Sequence, residues 1–179
     1  MERNHSGPPN GLKTFLKSNV QVTKKLKFGQ GLELVRYCND TDEVSYENNS
    51  KHTLSMYIRG GRQTFRMDKE KVYGAPGRFC LMPRDSYSSW HIGGIQQFVH
   101  LYFNDDYLKR TAMTVFDYDP RAVSLPQLTF KEDPALEAII RHCVLNQDWD
   151  DTNLLMIEQS VVTALSHVIH SIGHKPLKQ

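Results

Sequence analysis

Apolar and polar positions alternate with period two through much of the first hundred residues, the signature of strands with one buried face. In Thr53–Arg59, Leu54, Met56 and Ile58 fall on one face, and Thr53, Ser55, Tyr57 and Arg59 on the other. Leu32–Cys38 reads as a short strand of mixed faces. In Gln97–Phe103, Val99, Leu101 and Phe103 form a purely apolar face, while Phe98, His100 and Tyr102 share the opposite one. Arg78–Met82 is a strand ended by Pro83. Turn clusters separate these runs: Asn39–Asp42, Gly60-Gly61, Gly74–Gly77, Asp85-Ser86 and Gly93-Gly94. Gly60-Gly61 predicts a hairpin in which Gln63–Met67 returns beside Thr53–Arg59. Short strands cut at this spacing imply a sandwich or small barrel.

After Phe103 the period becomes helical. Asn104 or Asp105 caps a short helix through Tyr107, Leu108 and Met113. Asp133 and Pro134 start a second, with Leu136, Ile139, Ile140, Cys143 and Val144 on one face and Glu137–Arg141 as an i,i+4 pair. A connector at Asp148–Thr152 turns the chain back into the longest helix, Thr152–Ile172, ended by Gly173 and Pro176. Along it Leu154, Val161 and Val168 recur every seven residues, and Leu165 and Ile172 lie in the same arc. That arc is broader than one helix partner needs. It either meets a second subunit around a two-fold axis, centred on Leu154, Val161, Leu165 and Val168, or packs wholly within the chain. The fold class is therefore α+β: strands first, then an antiparallel helix pair.

Composition narrows the function classes. The 179 residues carry 22 Lys and Arg against 20 Asp and Glu, so no global basic surface offers itself to nucleic acid. Residues 1–30 differ, with six cationic side chains against Glu2 alone, and read as a basic arm and lead-in. No apolar run suits a membrane span or a secretory leader, so no membrane partner is expected. Cys38, Cys80 and Cys143 lie far apart, which fits a reducing cytoplasm.

Catalytic constellations and nucleotide motifs are missing, so no catalytic residue and no cofactor is expected. Eight histidines include no pair with a ligand spacing such as HxH; His167 and His170 suit a helix C-terminus, and no metal is expected. The strand face of Phe98, His100 and Tyr102 is the more informative feature. Aromatic walls with a few polar groups suit a small-ligand cavity, and Trp90 and Tyr87 upstream add to the same wall. The alternative is ordinary core with a satisfied buried histidine.

Three runs together, His52-Thr-Leu-Ser-Met-Tyr-Ile-Arg-Gly-Gly61, Pro76-Gly77-Arg-Phe-Cys-Leu-Met-Pro83 and Phe98-Val-His-Leu-Tyr-Phe103, followed by a two-helix tail, resemble the N-terminal sensor domain of AraC-type bacterial transcription regulators. The resemblance spans roughly 31–173. It implies a cupin-like β-barrel (a double-stranded β-helix, or jelly roll) holding a small effector over 31–103, a helical dimerisation segment over 104–173 and a tail over 174–179. DNA would be bound only through a C-terminal domain that this chain does not contain. Enzymatic cupins carry HxH in a first motif and a lone His in a second. Here no HxH precedes Gly60, and Ser88 stands where the second motif's His is expected. A metal-dependent dioxygenase or isomerase is thereby disfavoured; a ligand-free structural dimerisation module is the other alternative. Aligned through Pro83 and Tyr102-Phe103, the effector-contacting positions of arabinose-responsive members fall on Trp90, Phe98 and His100. The expected function is non-enzymatic: small-molecule sensing coupled to homodimerisation.

Overall fold

The computed structural model describes residues 13–14 and 18–173. Ten strands form two antiparallel sheets: β1 (Lys13–Thr14), β2 (Gln21–Phe28), β3 (Leu32–Asn39), β4 (Asp42–Asn48), β5 (His52–Arg59), β6 (Thr64–Arg66), β7 (Phe79–Met82), β8 (Ser86–Ile92), β9 (Gln96–Phe103) and β10 (Leu128–Lys131). The larger sheet runs β10-β7-β5-β9-β3-β2, and the smaller β1-β4-β8-β6. Among the described residues no strand pairing joins the two, so the expected barrel is not closed as a single sheet.

The four central strands of the larger sheet, β3, β5, β7 and β9, are buried on both faces, and residue parity sorts their side chains. Leu32 and Leu34 of β3, Leu54 and Met56 of β5, Phe79 and Leu81 of β7, and Val99, Leu101 and Phe103 of β9 form one apolar cluster with the helices. Their strand neighbours Val35, Tyr37, Tyr57, Cys80, Met82, Phe98 and Tyr102 turn the other way and join Val44, Trp90 and Ile92 of the smaller sheet. The face split expected for β9, and for β5 as far as Ile58, is therefore the observed one; a register shift after Tyr57 takes Arg59 out of it.

Helix α1 (Asp105–Phe116) starts at Asn104, whose Oδ1 accepts from the Tyr107 amide at 2.8 Å. Helix α2 (Pro134–Ala138) starts at Asp133, which accepts from the Leu136 amide at 2.9 Å, and continues as π-helical turns over Ile139–Leu145. Glu137 and Arg141 pair at 2.8 Å. Helix α3 (Leu154–Val168) continues as a π turn over Ile169–Gly173, so its α-helical part is shorter than the pattern predicts.

Several expectations need correction. Gln21–Phe28, read as part of a basic arm, is the edge strand β2 paired with β3. Its exposed lysines suit an edge, where charge discourages further pairing. Most of the remaining arm and the 174–179 tail lie outside the described residues. Strand β6 does not return beside β5. Both sides of β5 are occupied, by β7 and β9, and Gly60 and Gly61 at φ 73° and 82° carry the chain across to pair β6 with β8 in the other sheet. A Cβ on Gly60 would sit 2.2 Å from the Ile95 carbonyl oxygen, so only glycine fits this crossing.

The apolar arc of α3 is also spent differently from the expected subunit contact. Val161, Leu165 and Val168 are buried in this chain's own core, and Ile172 packs against it. Leu154 is half-buried. A helix covering a broad sheet needs a wider apolar arc than one lying along a single helix, which explains the extra apolar positions. Leu165 has 0% exposure, so Leu165→Ala should cost about 2–5 kcal/mol of unfolding free energy in urea titrations. A cost near zero would contradict this packing.

Candidate functional site

The space between the sheets holds a cavity of about 60 Å³, inside a partly open region of about 690 Å³ that includes solvent. Its floor is the inner face of the larger sheet, arranged in cross-strand rows by the pairing register. One row holds Asn39 and Gln96. The next holds Tyr37, Phe98 and Tyr57, stacked with ring centroids 5.4 and 5.7 Å apart and planes inclined by 27° and 29°. The third brings His100 beside Ser55, and the fourth Tyr102 beside Thr53. The roof comes from β4 and β8, with Val44 opposite Trp90 and Tyr46 opposite Ser88. Among the described residues no Asp, Glu, Lys or Arg lines the cavity.

Charge is nonetheless close by, and in each case paired. Arg66 is buried and lies over the Trp90 ring, 5.2 Å from its centroid. It donates from Nε to Asp68 at 2.7 Å, again from Nη2 to the same carboxylate, and from Nη2 to the Tyr87 carbonyl at 3.1 Å. Its guanidinium, with the Ser89 amide, draws the Asp68 carboxyl below its ordinary range despite partial burial. Glu33, on the inner face but outside the lining, pairs with Lys25 at 2.8 Å and Lys51 at 3.6 Å.

The polar groups of the lining fall into two sets. Some are partnered: Asn48 donates to the Met82 carbonyl at 2.9 Å, and Gln96 accepts from Thr64 at 2.5 Å and bonds the Tyr57 hydroxyl. Tyr37 and Tyr102 hydroxyls meet at 2.9 Å, and Tyr102 meets His100 Nδ1 at 2.9 Å. Others have no hydrogen bond among the described residues. These are Asn39 Nδ2, on a residue only 2% exposed, His100 Nε2, and the hydroxyls of Ser55 and Ser88. Desolvation holds the half-buried His100 neutral, with its pKa pushed down to about 3. Burial pushes the Cys80 thiol up to about 12, far from a reactive thiolate, while Phe130 N–H donates to its sulfur at 3.4 Å.

Four of the five residues expected at a ligand site, Trp90, Phe98, His100 and Tyr102, line this cavity. Tyr87 does not. It is 49% exposed, and its hydroxyl donates to Ser45 Oγ at 3.2 Å. The reason is parity: on β8 Ser88, Trp90 and Ile92 point inward, so a residue three before Trp90 must point outward. Sequence reasoning missed Asn39, taken there as a turn residue, and the inward roles of Tyr37, Tyr57 and Ser55. The alternation of β5 could have found Tyr57 and Ser55.

A cupin-type metal does not suit this lining. It offers one histidine and one protonated cysteine, and no group of three His, Cys, Asp or Glu side chains assembles among the described residues. His52 is elsewhere, accepting from the Arg84 amide at 3.0 Å and meeting Asp105 at 2.7 Å. His167 meets Asp133 at 2.7 Å, tying α3 to the start of α2.

No family model matches the chain, and no curated protein matches it. Solved structures match parts of it. EutQ from Clostridium difficile gives a TM-score of 0.40 at 14% identity, over 48% of this chain and 68% of that one. KdgF from Halomonas gives 0.40 at 13%, over 47% and 77%. A Ralstonia eutropha protein of unknown function with a cupin-like fold gives 0.37 at 11%, over 42% and 49%. Matches of this extent leave the fold to be read from the strand order itself.

The neutral state of His100 makes a pH prediction. The folded chain protonates it near 3, the unfolded chain near the ordinary value of 6.5. Between those values the unfolded chain binds the extra proton, so stability is lost as pH falls through the window, by up to about 1.4 kcal/mol per pH unit. Urea midpoints measured at about pH 7 and about pH 5 should therefore drop less in His100→Gln than in the wild type. Equal acid sensitivity of the two proteins would contradict an imidazole held neutral by desolvation.

Proposed function

We propose that this chain is the small-molecule sensing domain of an AraC-type transcription regulator, with the cavity between its sheets as the effector site. The observation that carries the reading is the inner face of the larger sheet. An aromatic wall without charge holds Asn39 Nδ2 and His100 Nε2 with no partner among the described residues. A buried polar group such as Asn39 Nδ2 is normally bonded, because an unpaired one costs about 1–3 kcal/mol. A face kept this polar suits contact with a bound molecule better than it suits packing. The resemblance of the His52–Gly61, Pro76–Pro83 and Phe98–Phe103 runs to that family's sensor domains supports the regulatory part of the reading, and its DNA contacts would belong to a separate domain.

In this reading the effector favours one arrangement of the domain and its partners, and that difference in affinity is the signal. Homodimerisation through the helical layer stays within the proposal, on different residues from those expected. Val161, Leu165 and Val168 are occupied internally, whereas Leu155 and Met156 at the start of α3 are exposed apolar positions.

Native mass spectrometry of the protein as purified tests both parts. We expect a species near twice 20.7 kDa carrying a small molecule, shifted to the monomer by Leu155→Glu with Met156→Glu. His100→Ala should weaken effector retention by about 1 to 3 kcal/mol. A wild-type monomer at high concentration would remove the dimer. Failure of the cavity to retain any small molecule, natural or offered, would remove the sensing reading.

A further inference from the structure

The donors that face the cavity indicate the chemical class of its occupant, provided that the cavity is the effector site proposed above. The starting point is where the protons lie in the chain Tyr37–Tyr102–His100. Tyr102 has one hydroxyl proton and two neighbours at 2.9 Å. If His100 Nδ1 were the donor, Tyr102 would give its own proton to Tyr37. The Tyr37 proton would then be buried with no acceptor among the described residues. In the opposite direction Tyr37 donates to Tyr102 and Tyr102 donates to His100 Nδ1, and the one donor left over is His100 Nε2–H, on a half-buried residue of the cavity lining instead of on Tyr37 at 2% exposure. The second arrangement is favoured because it places the unmet donor on the less buried group, facing the cavity, where an occupant or water can accept from it. A neutral imidazole that accepts at Nδ1 carries its proton on Nε2. His100 therefore offers the cavity an N–H donor.

The second group is Asn39. Its Oδ1 accepts from the Asp40 amide at 2.8 Å, which sets the orientation of the side-chain amide. Nδ2, a donor with no capacity to accept, is left without a partner on a residue that lines the cavity. Asn39 pairs with Gln96 in the sheet, four residues before His100 on β9. The two donors thus stand about 13 Å apart in backbone terms, at an extended rise near 3.3 Å per residue. Between them lies the row of Tyr37, Phe98 and Tyr57.

We infer that the cavity takes an uncharged molecule with an aromatic or apolar middle and hydrogen-bond acceptors at two separated ends, one for His100 Nε2–H and one for Asn39 Nδ2–H. A cation would meet two donors and no carboxylate. An anion would lose its hydration with no lining cation to replace it.

The test uses three uncharged probes of similar shape, titrated by calorimetry into the full chain at neutral pH. They are a bipyridine with its nitrogens at the two far ends, biphenyl, and a biphenyl bearing amino groups at the same two ends. The first offers acceptors, the second neither, and the third chiefly donors. We expect the bipyridine to bind at least tenfold more tightly than either of the others. His100→Leu should abolish that preference, and His100→Gln, whose amide keeps an N–H donor, should retain part of it. Thermal melts of both variants establish that they fold. Equal binding of the three probes, or preference for the diamine, overturns the donor assignment while leaving the cavity reading intact. A wild-type chain that is folded, carries no molecule and binds none of the three overturns the cavity reading and this inference with it.

Discussion

The rest of the structure depends on one constraint: the four central strands of the larger sheet are buried on both faces, and a strand can offer its two faces only in strict alternation. On β9 the odd-numbered residues Val99, Leu101 and Phe103 meet the helices. The even-numbered Gln96, Phe98, His100 and Tyr102 meet the cavity. The same division runs through β3, β5 and β7. A slip of one residue in any pairing would place Val99 or Leu101 in the cavity and His100 against α3, at the cost of an apolar core and an unbonded imidazole together. The polar inner face is thus held in register by the apolar outer one.

Charge is managed around the cavity by pairing at its margins. Arg66 is neutralised by Asp68 while its guanidinium lies over Trp90, and Glu33 is matched by Lys25 and Lys51. Breaking any of these would leave a buried charge without its partner, a penalty larger than the pair's own contribution to stability. The lining itself is left to neutral donors and aromatic rings. Burial moves their pKa values so as to favour the neutral form throughout, down for His100 and up for Tyr37, Tyr57 and Cys80, so each stays uncharged.

Much of this could be read in the sequence where burial is two-sided or one-sided and regular. β5 and β9 showed their faces because every position on them has a defined environment. The caps at Asn104 and Asp133 were readable because one side-chain oxygen suffices to start a helix. β4 and β8 were hidden because their inward positions include Ser88, Tyr46 and Asn48, whose side chains look like those of a loop. β2 was hidden because an edge strand carries lysines. β10 is short and bulged at Phe130, whose φ of 50° breaks any regular pattern. Tyr87 was misplaced by treating nearness in sequence as nearness in space, against the parity of its own strand. The α3 stripe was read correctly as apolar, but sequence alone does not distinguish a sheet from a second helix as the surface it covers.

The central claim is that the inner face of the larger sheet bounds open space and is not a packed core. The unfolding free energy of Ser55→Leu tests it most directly. Ser55 sits beside His100, is buried, and has no hydrogen bond among the described residues. If the face bounds a cavity, the added side chain enters it and stability stays within about 1 kcal/mol of wild type. In a close-packed core the same insertion forces strain costing about 1–3 kcal/mol or more. A loss at the upper end of that range would contradict the claim.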